Sequence, residues 1–330
     1  MSKQELNGSI RPIQVVTFYR FMPLSLTQLE DLKAWLTPQT DSLGLRGLFI
    51  VGTEGINCTF SLPRENAAAF KTAIANFFTL SANDIFFKDS FADRHPFHEL
   101  SVKIRPEIVT LLRPDLAPHL AHPTGQPTSE SGKNHHLSPA EWDHAIDNED
   151  VVVIDTRNSY EYEIGHFKGA VDPKTREFTE FPVWVKKQPI TKDQKVLIYC
   201  TGGIRCEKAI LEMQEQGYHN VYQLEGGILN YLKESPRRNF EGECFVFDYR
   251  VAVDQDLAPS QNFKLCPHCG QPAKEKIDCP QCGIAAIVCN HCIEKEEQFK
   301  TCSKNCAHHF RMGHRSKRIH RDAFRARQPR

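Results

Sequence analysis

The chain has 330 residues, 40% of them hydrophobic, with 41 Lys and Arg against 41 Asp and Glu; this length exceeds one ordinary domain, and the apolar fraction excludes wholesale disorder. The net charge of zero is unevenly spread, since from Arg311 to the end eight basic residues accompany one acid, Asp322, a +7 tail balanced by −7 over the rest. No apolar run reaches the roughly 18 residues of a membrane span, and MSKQELNGSI lacks a signal-peptide core, so a cytoplasmic protein is expected, in which clustered cysteines point to metal ligation or thiol chemistry before disulfides.

Residues 1–112 are expected to form the first domain. Ile13 to Phe21 is rich in strand-forming residues, and Ser25 to Leu36 places Leu26, Leu29, Leu32 and Leu36 at helical spacing. Arg46 to Val51 and Ile56 to Leu62 are apolar strands flanking the turn Gly52-Thr53-Glu54-Gly55. Glu65 to Phe78, containing Ala67-Ala68-Ala69, predicts a second helix, and Asp84 to Lys88 and Ser101 to Arg105 predict the closing strands. The order βαββαβ with one extra short strand is that of a ferredoxin-like, acylphosphatase-like α+β domain.

Pro114, Pro118, Pro123 and Pro127, with Gly125 and Gly132, mark residues 113–136 as a linker or long exposed loop. A parallel α/β domain is expected over 137–240. Ser138, Pro139 and Glu141 supply cap, first-turn proline and third-position acid for a helix. Val151 to Ile154, Val196 to Tyr199 and Val221 to Leu224 are uninterrupted apolar strands, the pattern of a parallel sheet buried on both faces, and Glu207 to Gln216 is the intervening helix. Between the second of these strands and that helix stands Cys200-Thr201-Gly202-Gly203-Ile204-Arg205. A glycine-rich loop at the carboxyl end of a strand aims successive N–H groups at one point beside a helix N-terminus, which lowers a thiol pKa from about 8.5 into the range of roughly 3.5–7.5. Cys200 is thus the candidate nucleophile and Arg205 its fixed positive charge. Four residues separate the two, a tighter ring than one built around a phosphate and suited to a single sulfur on the cysteine. Cys206 is a helix-start cysteine that packs or resolves an oxidised Cys200, and Cys58 and Cys244 read as core residues.

Residues 241–310 are expected to form a cysteine-rich region, in which eight of the twelve cysteines lie between Cys266 and Cys306, as Cys266/Cys269, Cys279/Cys282, Cys289/Cys292 and Cys302/Cys306. Paired thiolates at such spacing predict two structural zinc sites of four sulfurs each. The gaps between pairs favour joining the first pair with the second and the third with the fourth, with interleaving as the alternative; His268, His291 and His308 stand near enough to replace a ligand. In the basic tail, 311–330, Arg311, Arg315, Lys317, Arg318, Arg321 and Arg325 are candidate phosphate contacts, against the reading of a solvated chain end. No Gly-x-Gly-x-x-Gly fingerprint for flavin or nicotinamide is present, and no protein partner can be inferred.

Asp155-Thr156-Arg157, Gly165 to Ala170, the Cys200 loop and Leu224-Glu225-Gly226-Gly227-Ile228 together resemble the rhodanese superfamily. That resemblance implies a persulfide or related adduct on Cys200, with Asp155 and Arg157 holding the loop; His166 is a weak catalytic candidate against the favoured reading of a structural histidine. Adding Gly52-Thr53-Glu54-Gly55-Ile56-Asn57, Ser101 to Arg105 with Glu107 and Ile108, and Gly242 to Val253, the chain is similar to the bacterial rhodanese-domain, oxygen-dependent tRNA uridine hydroxylases over nearly all of Ile13 to Cys306. The resemblance implies tRNA as substrate, molecular oxygen as co-substrate and 5-hydroxyuridine at the wobble position as product. A Cys-persulfide loop by itself explains sulfur transfer more directly, so a sulfurtransferase is the alternative, and a non-enzymatic zinc-organised RNA-binding protein is a third reading.

Overall fold

The computed structural model describes residues 11–121, 135–235 and 238–313. One compact unit runs to Asp248 and also takes in Ala252–Pro259; a second holds Tyr249–Val251 and the chain from Ser260 onward. Among the described residues no helix is long and apolar enough to cross a membrane.

The first unit begins with an acylphosphatase-like sheet. Its elements are β1 (Ile13–Phe21), α1 (Leu26–Leu36), α2 (Gln39–Leu43), β2 (Arg46–Gly52), β3 (Gly55–Pro63), α3 (Arg64–Phe77), β4 (Lys88–Ala92) and β5 (Leu100–Ile104), with strand order β4-β1-β3-β2-β5. The first four strands are antiparallel neighbours in the ferredoxin-like order, and β5 adds to β2 in parallel. Ser25 starts α1 through a capping box with Gln28, and its Leu29, Leu32 and Leu36 are buried. Val16 and Phe18 of β1 point to the helical side, where Phe18, Phe49, Phe60 and Phe70 form an aromatic core with centroids 5.0–6.4 Å apart. The alternate residues Thr17 and Tyr19 therefore face the opposite side. The strand expected at Asp84–Lys88 is displaced. A Ser81–Asp84 capping box winds Ala82–Asp84 into a 3-10 turn, so extended structure begins only at Lys88. That shift sets Lys88 directly across from Thr17.

The expected exposed linker is partly packed. Leu116 and Ala117 are buried, and Arg113 reaches Glu212 and Glu215 at 2.7 Å each. Pro118–Ala121 forms a short helix, α4; residues 122–134 lie outside the described residues.

The parallel domain follows with β6 (His136–Leu137), α5 (Pro139–Asn148), β7 (Val151–Asp155), α6 (Ser159–Tyr162), β8 (Gly165–Phe167), α7 (Phe181–Val185), β9 (Lys195–Tyr199), α8 (Ile204–Glu215), β10 (Val221–Leu224) and α9 (Gly227–Glu234). The sheet order is β6-β10-β9-β7, all parallel. Val196 and Ile198 pack with Phe181, Val185, Ala209 and Met213 on one face, while Leu197 and Tyr199 pack with Trp142, Tyr231 and Leu232 on the other. Burial on both faces is why β9 reads as an unbroken apolar run. The expected Ser138–Glu141 capping box is present with Pro139 at the helix start. Strands β11 (Phe240–Gly242), β12 (Cys244–Phe245) and β13 (Ala252–Val253) complete the unit, β11 pairing with β8 and β12 with β13.

A buried ion cluster ties the two sheets of this unit together. Lys208 of α8 is fully buried, 2.8 Å from Glu54 and 2.6 Å from Glu107. Glu54 also accepts the N–H of Ile108, and Glu107 those of Leu111 and Leu112. Burial pushes the Glu54 carboxyl up, against the pull of Lys208. Lys208→Met is expected to cost about 3–5 kcal/mol, because two carboxylates then lose their shared cation. The folded pKa of Glu54 lies above its unfolded one, so the deficit should be smallest at acidic pH and grow as pH rises through the raised value. Denaturant titrations at two pH values measure both the loss and its sign.

The second unit contains β14 (Lys264–Leu265) paired with β15 (Pro272–Ala273), β16 (Glu275–Asp278) paired with β17 (Ala285–Val288), α10 (Asn290–Lys295) and α11 (Lys304–Arg311). Among the described residues its buried apolar cluster contains Ala273 and Val288 besides Cys266 and Cys292, with Ile277, Ile287, Ile293 and Phe299 partly buried against it.

Candidate functional site

Cys200 lies immediately after β9, fully buried, and its Sγ accepts the Gly203 N–H at 3.0 Å. Gly203 caps α8 with φ of +100°, and a Cβ there would stand 3.0 Å from the Tyr19 hydroxyl. The loop is docked on the start of α9, with the Cys200 carbonyl accepting Ile228 N–H at 3.0 Å and that of Thr201 accepting Leu229 N–H at 3.1 Å. This approach requires Gly227, whose Cβ would come within 2.5 Å of the Cys200 carbonyl oxygen. Burial alone would push the Cys200 thiol up. A hydrogen bond from Cys206, the charge of Arg205 and the N–H groups of Arg205 and Gly202 outweigh it and bring the thiol down to about 6. Burial and the neighbouring thiolate push Cys206 well above its ordinary range, so it remains the protonated partner. Within this pair the thiol favoured to ionise is that of Cys200, and Cys206 is the donor.

The other residues expected around the loop fall into two buried ion pairs. Arg157 grips Asp155 at 2.7–3.1 Å and donates to the Gly165 carbonyl at 2.6 Å, tying the β7 end to β8. Arg205 forms a fork on Glu161 of α6, at 2.7 and 2.8 Å. Burial would push the Glu161 carboxyl up, but Arg205 and Arg157 bring it below its ordinary value. Glu161 carries no motif signal beyond its place after Asp155-Thr156-Arg157, and sequence reasoning missed it. Gly202 faces the first sheet, and Ile204 opens α8. His166 stacks on Tyr162 at 3.9 Å and contacts its carbonyl, a structural arrangement.

A second layer of the site comes from the first sheet and from β6 and β10. Tyr19 donates to Glu207 at 2.7 Å, and His136 lies 3.2 Å from the same carboxylate and contacts Gln223. Burial pushes the Tyr19 hydroxyl well above its ordinary range, helped by Glu207. Lys88 is 7% exposed, with Nζ 5.0 Å from the Tyr19 ring centroid and 4.9 Å from that of Phe86. Burial brings its ammonium down to about 8, against the attraction of Cys200 and Glu207. Phe86, over Lys88, and Phe247, over Arg205, are large exposed aromatics. Phe247 lies in the Gly242–Val253 stretch, while Tyr19, Lys88, Phe86 and His136 lie in none of the motifs; their juxtaposition arises from packing one sheet onto the loop of another.

In the second unit, Cys266, Cys269, Cys289 and Cys292 form one group and Cys279, Cys282, Cys302 and Cys306 another, the sulfurs of each lying within 4.8 Å of one another. The pairing is therefore interleaved, which corrects the sequential expectation. The β16–β17 hairpin is the cause. It carries the chain to a tip bearing Cys279 and Cys282, then returns it to Cys289 at the base beside the first pair. Sulfur separations of 3.5 Å for Cys269–Cys289, Cys282–Cys302 and Cys302–Cys306, and 3.7 Å for Cys282–Cys306, fit the edge of a tetrahedral thiolate shell of roughly 3.8 Å. These two clusters could hold metal ions. Neither includes a histidine, and His268 instead contacts the Thr301 carbonyl at 2.7 Å. Arg311 ends α11; Arg315, Lys317, Arg318, Arg321 and Arg325 lie outside the described residues.

Comparison with known proteins matches three family models along the chain: the UPF0176 acylphosphatase like domain over residues 13–108, the Rhodanese-like domain over 138–234, and the Rhodanase C-terminal segment over 241–307. A tRNA uridine(34) hydroxylase from Bdellovibrio bacteriovorus is 50% identical, covering 89% of this chain and 80% of the relative. Proteins of the same name from Wolbachia pipientis and Synechocystis are 37% and 39% identical, covering 87% and 84% of this chain and 98% of each relative.

Proposed function

This chain belongs to the tRNA uridine(34) hydroxylase family, and from that membership we propose that it hydroxylates the wobble uridine of tRNA to 5-hydroxyuridine with molecular oxygen. Inserting one oxygen atom at C5 and releasing the other as water consumes two electrons and two protons, so an external two-electron donor is part of the reaction. The observation that carries the role of Cys200 is its stabilised thiolate at the carboxyl end of β9. A low-pKa thiolate is readily converted to an oxygen- or sulfur-bearing adduct. Arg205 acts on it through charge and through its own N–H, while Asp155 and Arg157 hold the loop with Thr201, Gly202, Gly203 and Ile204.

A uridine in an anticodon loop can be splayed from its neighbours to reach a recessed group. The exposed rings of Phe86 and Phe247 beside the site's cations suit base stacking. Arg311, Arg315, Lys317, Arg318, Arg321 and Arg325 would add sequence-independent phosphate contacts. Zinc is the metal assigned to the two four-cysteine groups, on the chemistry of an all-thiolate donor set, and with every ligand position filled by sulfur its role is structural. A tRNA substrate supports a cytoplasmic location. The proposed domain division is 1–112, 113–136, 137–240, 241–310 and 311–330, with residues up to Asp248 and Ala252–Pro259 packed in the same compact unit as the parallel domain.

A sulfurtransferase reading is favoured only by the four-residue spacing from Cys200 to Arg205, which suits one added sulfur. Nucleoside mass spectrometry of tRNA from cells with and without the gene separates the two. Loss of 5-hydroxyuridine is the expected result; loss of a thiolated base instead would overturn hydroxylation.

A further inference from the structure

Lys88 has no direct ion pair among the described residues, and it approaches the Cys200 loop at Gly202. Arg205, the expected cation of the loop, commits both Nη atoms to Glu161 at 2.7 and 2.8 Å. The Cys200 sulfur is therefore held by N–H and S–H dipoles and by the residual field of a neutralised arginine. Lys88 of the first sheet approaches the same loop at Gly202. A buried ammonium ordinarily has a carboxylate partner, because an unpaired buried charge is costly. Lys88 is in no ion pair among the described residues, and its one hydrogen bond, to the Phe86 carbonyl, is long at 3.5 Å. Its Nζ is flanked by the Tyr19 and Phe86 rings, which attract a cation without neutralising it. Its Cε stands 3.6 Å from the position a Cβ on Gly202 would occupy, beside Thr17 Cγ2 at 4.0 Å. The absence of side chains on Gly202 and Gly203 leaves that approach open.

We infer that Lys88 is the charge partner of Cys200: the first sheet supplies the ammonium that holds the thiolate, and any anionic sulfur or oxygen group carried on it. The inference rests on the reading of Cys200 as the reactive thiol. It makes the reaction site a composite of two sheets, with the loop providing dipoles and the Arg205 charge and the acylphosphatase-like sheet adding an ammonium. Thr17, paired with Lys88 across β1 and β4, and Tyr19, fixed by Glu207, aim the lysine at the loop. The surrounding titratable groups are Cys206 and Arg205 on the cysteine's side, and Tyr19, Glu207 and Cys58 on the lysine's side. Thiolate and ammonium coexist between about pH 6 and about pH 8.

The test is a titration of Cys200 in the full chain without tRNA, reading the ultraviolet thiolate band of each protein minus that of its Cys200→Ser counterpart. Lys88→Met and Lys88→Gln, both neutral, should raise the midpoint by about one pH unit or more, and Lys88→Arg should restore it to near the parent value. An unchanged midpoint in the neutral variants overturns the inference, as does an equal rise in all three, which would mean that packing and not charge is at work. The measurement involves no hydroxylation, so its failure leaves the proposed activity standing, whereas nucleosides lacking any dependence on the gene would remove the activity and leave the coupling intact.

Discussion

Cys200→Ser is expected to lower 5-hydroxyuridine formation by roughly a thousandfold or more while leaving the fold and tRNA binding near those of the parent. Serine has nearly the same shape and can accept the Gly203 N–H that the sulfur accepts at 3.0 Å. Its hydroxyl, however, stays protonated in surroundings that bring the cysteine down to about 6. The site would keep its geometry and lose its anion. Quantifying 5-hydroxyuridine in tRNA from cells carrying only the variant checks this, and full hydroxylation would remove Cys200 from the chemistry. Cys206 does not substitute, because burial and the adjacent thiolate hold it well above its ordinary range.

The second large effect concerns the metal clusters. The unit from Ser260 onward buries few large apolar side chains, so ligation is expected to supply most of its folding energy, on the order of 10 kcal/mol per site. Replacing Cys266, Cys269, Cys289 and Cys292 together by serine should leave one zinc per chain, since the other four-cysteine group is intact. Replacing Cys266, Cys269, Cys279 and Cys282 together should leave none, because each site then loses half its ligands. Sequential pairing would reverse the two results. Elemental analysis of protein purified without chelator distinguishes them, and protease sensitivity of the same variants reports the loss of structure.

Much of this protein was legible because its chemistry is local in the chain. The Cys200 loop is a single strand-to-helix connection, so the spacing of Cys200, Gly203 and Arg205 already dictates N–H groups converging on a sulfur. The Ser138 cap and the apolar runs of β7, β9 and β10 are likewise local, and all appear in place. Asp84–Lys88 failed as a strand because a capping box at Ser81 competed successfully for the backbone groups. The 113–136 segment looked exposed from its prolines, yet Leu116 and Ala117 are buried and Arg113 finds Glu212 and Glu215 on a helix far along the chain.

The sequence by itself determined the candidate nucleophile, the four cysteine pairs, and the two sheet types, because residue spacing controls backbone geometry over a few residues. Tertiary structure alone decided which charges meet: Glu161 claims Arg205, Glu54 and Glu107 share Lys208, and Lys88 is brought to the Cys200 loop at Gly202. It also decided which cysteine pairs share a cluster, through the return of one hairpin. Electrostatic partnership falls off with distance in space and is blind to distance along the chain, so no reading of spacing could have made those assignments.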